Sequence, residues 1–238
     1  MRVARGGKAV YGAPLGILML DARFPRIRGD MGNAETWPFP VLYRVVSGAT
    51  PERVVLEGAR GLLPQFLEAA AELVALGAEA ITTNCGFLSL FQRELAEHVG
   101  VPVATSSLMQ APWVQATLPP GQRVGVVTVS AGSLTPAHLE AASVPADTPV
   151  VGTEGGREFF RVLIRGESED MDLDLAEQDV VEAGRELVRR HNDIGAIVLE
   201  CTNMPPYAAA MREAVGRPVY DIYSMISWFQ AGLRPRAW

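Results

Sequence analysis

Two related α/β halves with mostly parallel sheets are the fold this sequence predicts. Three observations carry the prediction. Short apolar runs alternate with helical segments along the chain, the pattern of parallel strands covered on both faces. That pattern restarts after residue 105. Finally, each half places one of only two cysteines just past an apolar run, in Thr82-Thr83-Asn84-Cys85-Gly86-Phe87-Leu88 and in Ile197-Val198-Leu199-Glu200-Cys201-Thr202-Asn203. Cys85 lies 70 positions after Leu15, and Cys201 lies 77 after Val124.

The elements follow in order. Residues 15–20 are a short apolar run bounded by Pro14 and Asp21, hence a buried strand. Residues 21–40 are too rich in Gly and Pro for regular structure. A second apolar run covers 41–46. From 53 to 77, Leu63, Phe66, Leu67, Ala70, Leu73 and Val74 recur at helical spacing, and Gly77 closes the helix. Strand 80–83, helix 88–98 and strand 101–105 complete the half. The second half opens with strand 123–129, then helix 134–142 and a short strand 150–152. A long amphipathic helix covers 173–191, with Val180, Val181, Gly184, Leu187 and Val188 on one side. Strand 196–199 leads to Cys201, a helix starts near Pro205-Pro206, and residues 219–221 precede a final helix through Trp228. The halves are assigned to residues 1–105, which the C-terminal helix is free to join, and 106–238.

Composition narrows the function. With 238 residues, 48% hydrophobic and 20% charged, the chain is globular. A formal net charge of −6 argues against nucleic acid as a partner. No apolar run reaches the roughly 18 residues that span a bilayer, and the basic N-terminus lacks the apolar core of a signal peptide. A cytoplasmic protein is expected, acting on a small molecule. An α/β enzyme of this size often forms homo-oligomers.

In a reducing cytosol a structural disulfide is not expected. Isolated cysteines are commonly buried small hydrophobes, but matched positions at the carboxyl ends of parallel strands are where ligands of such sheets bind. Each cysteine precedes a helical segment, whose unpaired N–H groups and dipole are expected to lower the thiol pKa toward neutrality. Two such sulfurs facing each other across a cleft could remove a proton from one face of a carbon and return one to the other. A stereocentre would be inverted without a cofactor.

TTNCGF and LECTNMPPY, spaced across two similar halves, resemble the cysteine motifs of the aspartate/glutamate racemase superfamily, which includes hydantoin and allantoin racemases, maleate isomerase and arylmalonate decarboxylase. The resemblance covers Leu15 to about Trp228. It implies two α/β lobes related by a pseudo-twofold, an active site in the cleft between them, and cofactor-independent isomerase chemistry next to a carboxylate or carbonyl, with Cys85 and Cys201 as alternating base and acid. Glutamate racemases typically show Gly-Cys-Thr-His at the second motif, so Cys201 and Thr202 carry over and Asn203 replaces the histidine. The first motif usually reads Cys-Asn-Thr. Here Gly86-Phe87 follow Cys85 and the polar residues precede it, which disfavours glutamate and suits a cyclic or more apolar molecule. Cis–trans isomerisation of a small dicarboxylate stays open as an alternative. Decarboxylation ranks lower, since the decarboxylases keep only the second cysteine. A non-catalytic small-molecule binding protein is the alternative from another class.

Asn84, Gly86, Phe87, Thr202 and Asn203 are the expected substrate-binding residues beside the cysteines. Asp30 and Asn33, on the loop that should overhang the cleft, and Thr128, at the end of the strand matching the first, join them. Arg26 and Arg28 are candidates for reading a second carboxylate, set against ordinary solvated arginines. Ser106, Ser107, Ser130 and Ser133 end strands where hydroxyls routinely cap helices. The side chain of Glu200 is expected to leave the strand opposite to Cys201 and to bind backbone N–H groups, the alternative being that it tunes or orients the thiols. The acidic stretch 167–179 opens a helix, and His98, His138 and His191 are scattered. Neither metal nor cofactor is expected.

Overall fold

The computed structural model describes residues 3, 4 and 6–236. Its two four-stranded parallel sheets have the same strand order. In the first, β1 (Leu15–Leu20) and β3 (Ala80–Thr83) are central, with β2 (Val41–Val46) outside β1 and β4 (Val103–Ala104) outside β3. In the second, β5 (Arg123–Thr128) and β7 (Ile194–Leu199) are central, flanked by β6 (Val150–Gly152) and β8 (Val219–Tyr220). All six residues of β1 and of β7 are buried, as central strands covered on both faces must be.

The helices are α1 (Pro51–Val55), α2 (Leu63–Leu76), α3 (Gln92–Val99), α4 (Ala111–Thr117), α5 (Pro136–Ala141), α6 (Phe159–Leu163), α7 (Leu173–Arg190), α8 (Ala208–Val215) and α9 (Ile222–Leu233). The equivalence of the sheets extends to packing. A Cβ on Gly16 of β1 would lie 2.9 Å from Ile81 and 3.1 Å from Leu73 of α2, and one on Gly125 of β5 would lie 2.7 Å from Leu187 of α7. Each long helix therefore crosses its central strand at a residue without a side chain, where an added methyl would overpack the core by about 1–3 kcal/mol.

Two helical expectations differ from the structure. The helix expected over 53–77 is two helices, because Gly58, Ala59 and Gly61 take positive φ and Pro64 belongs to a first turn. The helix expected at 88–98 begins as a 3-10 turn over Gly86–Phe91. Helices α4 and α6 were not foreseen; both are short.

Helix α9 leaves the second lobe and packs on the first sheet. Ile222, Met225 and Ile226 are buried with Leu15, Ile17, Met19, Met31 and Trp37. Glu79, just before β3, holds Lys8 at 2.9 Å and Arg234 at 2.6 Å. Among the described residues, no helix is long and apolar enough to cross a membrane.

Candidate active site

Both cysteines stand just beyond the carboxyl ends of equivalent strands, β3 and β7, and hydrogen bonds fix each. Asn84 N–H donates to Leu18 O at 2.9 Å, and Asn84 Oδ1 accepts from Leu20 N–H at 2.7 Å, tying the end of β3 to that of β1. Thr83 Oγ1 donates to Thr105 O at 2.7 Å. Behind the site one hydroxyl secures the second lobe and another joins the two lobes. Ser107 Oγ donates to Leu199 O at 2.6 Å, and Thr202 Oγ1 donates to Asn84 O. The Ser107 hydroxyl thus holds the end of β7 to the turn that opens the second half, and that of Thr202 ties one lobe to the other.

Both thiols are free and buried, Cys85 being 8% and Cys201 7% exposed. Together they line one cavity of about 20 Å3 between the lobes. Asn84, Gly86, Phe87, Thr202 and Asn203 line it too, as do Phe24, Arg26 and Glu200. Asn33 and Thr128 do not. Asn33 Nδ2 donates to Arg26 O at 2.9 Å and its Oδ1 accepts from Glu35 N–H, so it shapes the loop behind Arg26. Thr128 Oγ1 donates to Glu200 Oε2 at 2.6 Å. Asp30 sits one step back, binding both Arg26 and Asn203. Arg28 is exposed, and Ser106 caps the turn after it. A larger groove of about 1250 Å3 runs along β6, α7 and α8. It holds neither cysteine, and two of its carboxylates, Glu154 and Asp179, are occupied by backbone N–H groups. The small cavity is therefore the candidate site.

The electrostatics overturn one expectation. Backbone N–H groups of Phe87 and Leu88 do point at Cys85, and that of Asn203 at Cys201, and each favours the thiolate. Burial outweighs them, and the Glu200 carboxylate adds to it, so both thiols are held above the ordinary range. Both cysteines are neutral in the closed cavity at pH 7. Glu200 itself turns into the cavity. Strand β7 ends at Leu199, so the alternation expected to send Glu200 away has stopped one residue earlier.

The polar wall of the cavity is a chain of four residues. Cys201 Sγ donates to Asn203 Oδ1 at 3.5 Å. Asn203 Nδ2 donates to Asp30 Oδ2, and Asp30 Oδ1 accepts from Arg26 Nη1 at 3.0 Å. The Arg26 side chain is only 14% exposed, its guanidinium stacks 4.6 Å above the Phe24 ring, and its Nη2 is buried with no partner among the described residues. The opposite wall is apolar. Phe87 is fully buried and meets His138 edge-on at 5.1 Å, while burial lowers the His138 pKa to about 4 and keeps it neutral.

The Asp/Glu/Hydantoin racemase family model matches residues 106–228. A dimethylsulfoniopropionate lyase of Durusdinium sp. clade D is 30% identical over 228 residues, covering 92% of this chain and 75% of that protein. The chain belongs to the Asp/Glu/Hydantoin racemase family. A second relative, dimethylsulfoniopropionate lyase 3 of Emiliania huxleyi (strain CCMP1516), is 32% identical over 222 residues; the match covers 87% of this chain but only 56% of that longer protein. Among solved structures, arylmalonate decarboxylase superposes with a TM-score of 0.60 at 15% identity, covering 93% of this chain and 94% of the other, which shows the shared fold. Family membership makes the chain an enzyme of this fold. The racemase activity implied by its motifs is one of several outcomes that the family hosts.

Proposed function

We propose that this chain is a cofactor-independent lyase that removes a proton from the carbon next to a carboxylate and expels a leaving group from the following carbon, with dimethylsulfoniopropionate as its substrate. The observation that carries the reading is the pair of buried thiols on one cavity at the carboxyl ends of equivalent strands. The names of the two relatives supply the leaving group.

The chemistry fits the walls. The unpartnered Nη2 of Arg26 is a donor for the substrate carboxylate, and a charge-assisted bond there also stabilises the enolate-like carbanion. The apolar turn after Cys85 offers no partner for an α-ammonium group, which suits a propionate with hydrogen at that carbon. A sulfonium cation entering the cavity offsets the burial penalty on a thiolate, so the substrate helps to ionise its own base. The thiolate then takes the α-proton. The C–H electron pair becomes the double bond of acrylate, and the C–S bond breaks with its pair leaving on neutral dimethyl sulfide. This elimination is redox-neutral and uses one base. A cavity of about 20 Å3 holds little more than one water, so the substrate requires the loop after β1 or helix α6 to move outward.

Dimethyl sulfide in the headspace over protein and dimethylsulfoniopropionate, in one-to-one yield with acrylate, is the expected result. Racemisation is the second reading, favoured by both thiols reaching the cavity. Enantiopure amino acids, hydantoins and 2-substituted dicarboxylates incubated in heavy water test it. Deuterium uptake with inversion, and no dimethyl sulfide, would replace the lyase.

A further inference from the structure

The elimination leaves a third ionisable group of the cavity unused. Glu200 is 1% exposed. One of its oxygens is held by Thr128 at 2.6 Å. The other, Oε1, is buried with no partner among the described residues. It lies against the peptide that follows Cys85, since a Cβ on Gly86 would come within 2.2 Å of it. Its own residue directly precedes Cys201. A free carboxylate oxygen thus sits between the two cysteine-bearing turns, where leaving it unsatisfied destabilises the fold.

We propose that Glu200 is the proton store of the thiol pair, exchanging one proton with a cysteine so that thiol and carboxylate become thiolate and carboxylic acid. The S–H bond breaks, its electron pair stays on sulfur, and an O–H bond forms at Oε1. Among the described residues no hydrogen bond joins Oε1 directly to either sulfur, so one water, which the cavity has room for, relays the proton. Nothing is oxidised or reduced. The catalytic purpose of the exchange rests on the lyase reading, but its existence does not. Glu200 acts through the cysteines and is a positioning residue.

The surroundings support the exchange. The titratable and charged groups facing Glu200 and the thiols are Cys85, Cys201, Arg26, Asp30 and Tyr207. Arg26 and Asp30 are paired with each other, and Thr128 and Ser107 contribute neutral hydroxyls. After burial, the Glu200 charge is the largest influence holding both thiols protonated. Burial in turn raises the Glu200 pKa to about 7, against the opposing pull of the Thr128 hydrogen bond. Neutralising Glu200 with the thiol's own proton therefore removes the main charge that opposes the thiolate.

The test is alkylation by iodoacetamide between about pH 5.5 and 9.5, with each cysteine quantified by mass spectrometry in wild type, Glu200→Gln and Thr128→Val. Only the thiolate reacts. If one proton is shared, wild-type alkylation rises to an inflection near pH 7, as Glu200 titrates, and then levels. Glu200→Gln is expected to lose the inflection and climb about tenfold per pH unit, gaining about a hundredfold between pH 7 and 9. Thr128→Val removes the bond that lowers the Glu200 pKa, so its inflection moves to higher pH. A wild-type profile without the inflection, or a Glu200→Gln profile that keeps it, overturns the proposal. An unmoved inflection in Thr128→Val does the same and keeps the test decisive if Glu200→Gln fails to fold. No substrate is involved. An inflection without dimethyl sulfide release sinks the lyase alone, and the converse sinks the proton store alone.

Discussion

The turn after β3 and the turn after β7 occupy the same place on two equivalent sheets, yet they present different chemistry. After Cys85 the chain runs Gly86-Phe87-Leu88, all buried, and forms an apolar wall. After Cys201 it runs Thr202-Asn203, and Asn203 connects the thiol through Asp30 to the free edge of Arg26. A symmetric scaffold thus carries an asymmetric site. Racemisation asks the two faces of a carbon to be treated alike, whereas elimination asks for one base beside one carboxylate anchor. Under the proposed lyase activity, the asymmetry favours the second and assigns the base to Cys201, on the side of the anchor.

That assignment is open to a direct break. Cys201→Ala is expected to lower kcat/KM for dimethyl sulfide release by about a thousandfold, within the range for losing a general base. Cys85→Ala should cost about tenfold at most. Equal and complete losses in both would restore two-sided proton transfer. Stability gives the next contrast. The folded-state pKa of Glu200 is raised from 4.5 to about 7, so the native state binds more protons than the unfolded chain between those values, and stability falls as pH rises through that window. Above pH 7 the full penalty is about 3 kcal/mol, so Glu200→Gln should be stabler than wild type by up to that amount at pH 8. The advantage should vanish by pH 4, as denaturant midpoints at the two pH values would show. Removing the anchor comes third. Arg26→Gln should reduce kcat/KM by about thirty- to a hundredfold, through both KM and kcat, as for a lost charge-assisted hydrogen bond of about 2–3 kcal/mol. Asn203→Ala, which only uncouples Cys201 from that anchor, should cost about fivefold, near 1 kcal/mol. Substitutions of comparable size on the apolar turn that alter KM for the carboxylate as strongly as Arg26→Gln would count against the division of the walls.

The central strands were legible because strands buried on both faces are continuous apolar runs. Residues 15–20 and 80–83 are central strands as expected, while 41–46 and 150–152, strands as expected too, lie outside them and are only partly buried. The helix split at 56–62 was hidden, since its apolar spacing continues past the glycines that break it. The thiol pair was legible through its matched positions. Its acidity was not, because dipoles can be read from chain order while burial depends on how closely the lobes shut. Arg26 lies in a loop without periodicity, so nothing local separates it from Arg28, which is exposed. What sets it apart is a contact with Asp30, which is held in turn by Asn203, 173 positions further along the chain.

Helix α9 imposes an order on synthesis. Ile17 and Met19 of the first sheet, with Met31 and Trp37 of the loop after β1, are buried with Ile222, Met225 and Ile226, and those residues are made only after the whole second lobe. The first lobe emerges from the ribosome with an apolar face still bare, and it cannot finish folding until the chain has passed through its counterpart and returned. The halves look alike in space, but in time the first half waits for the second.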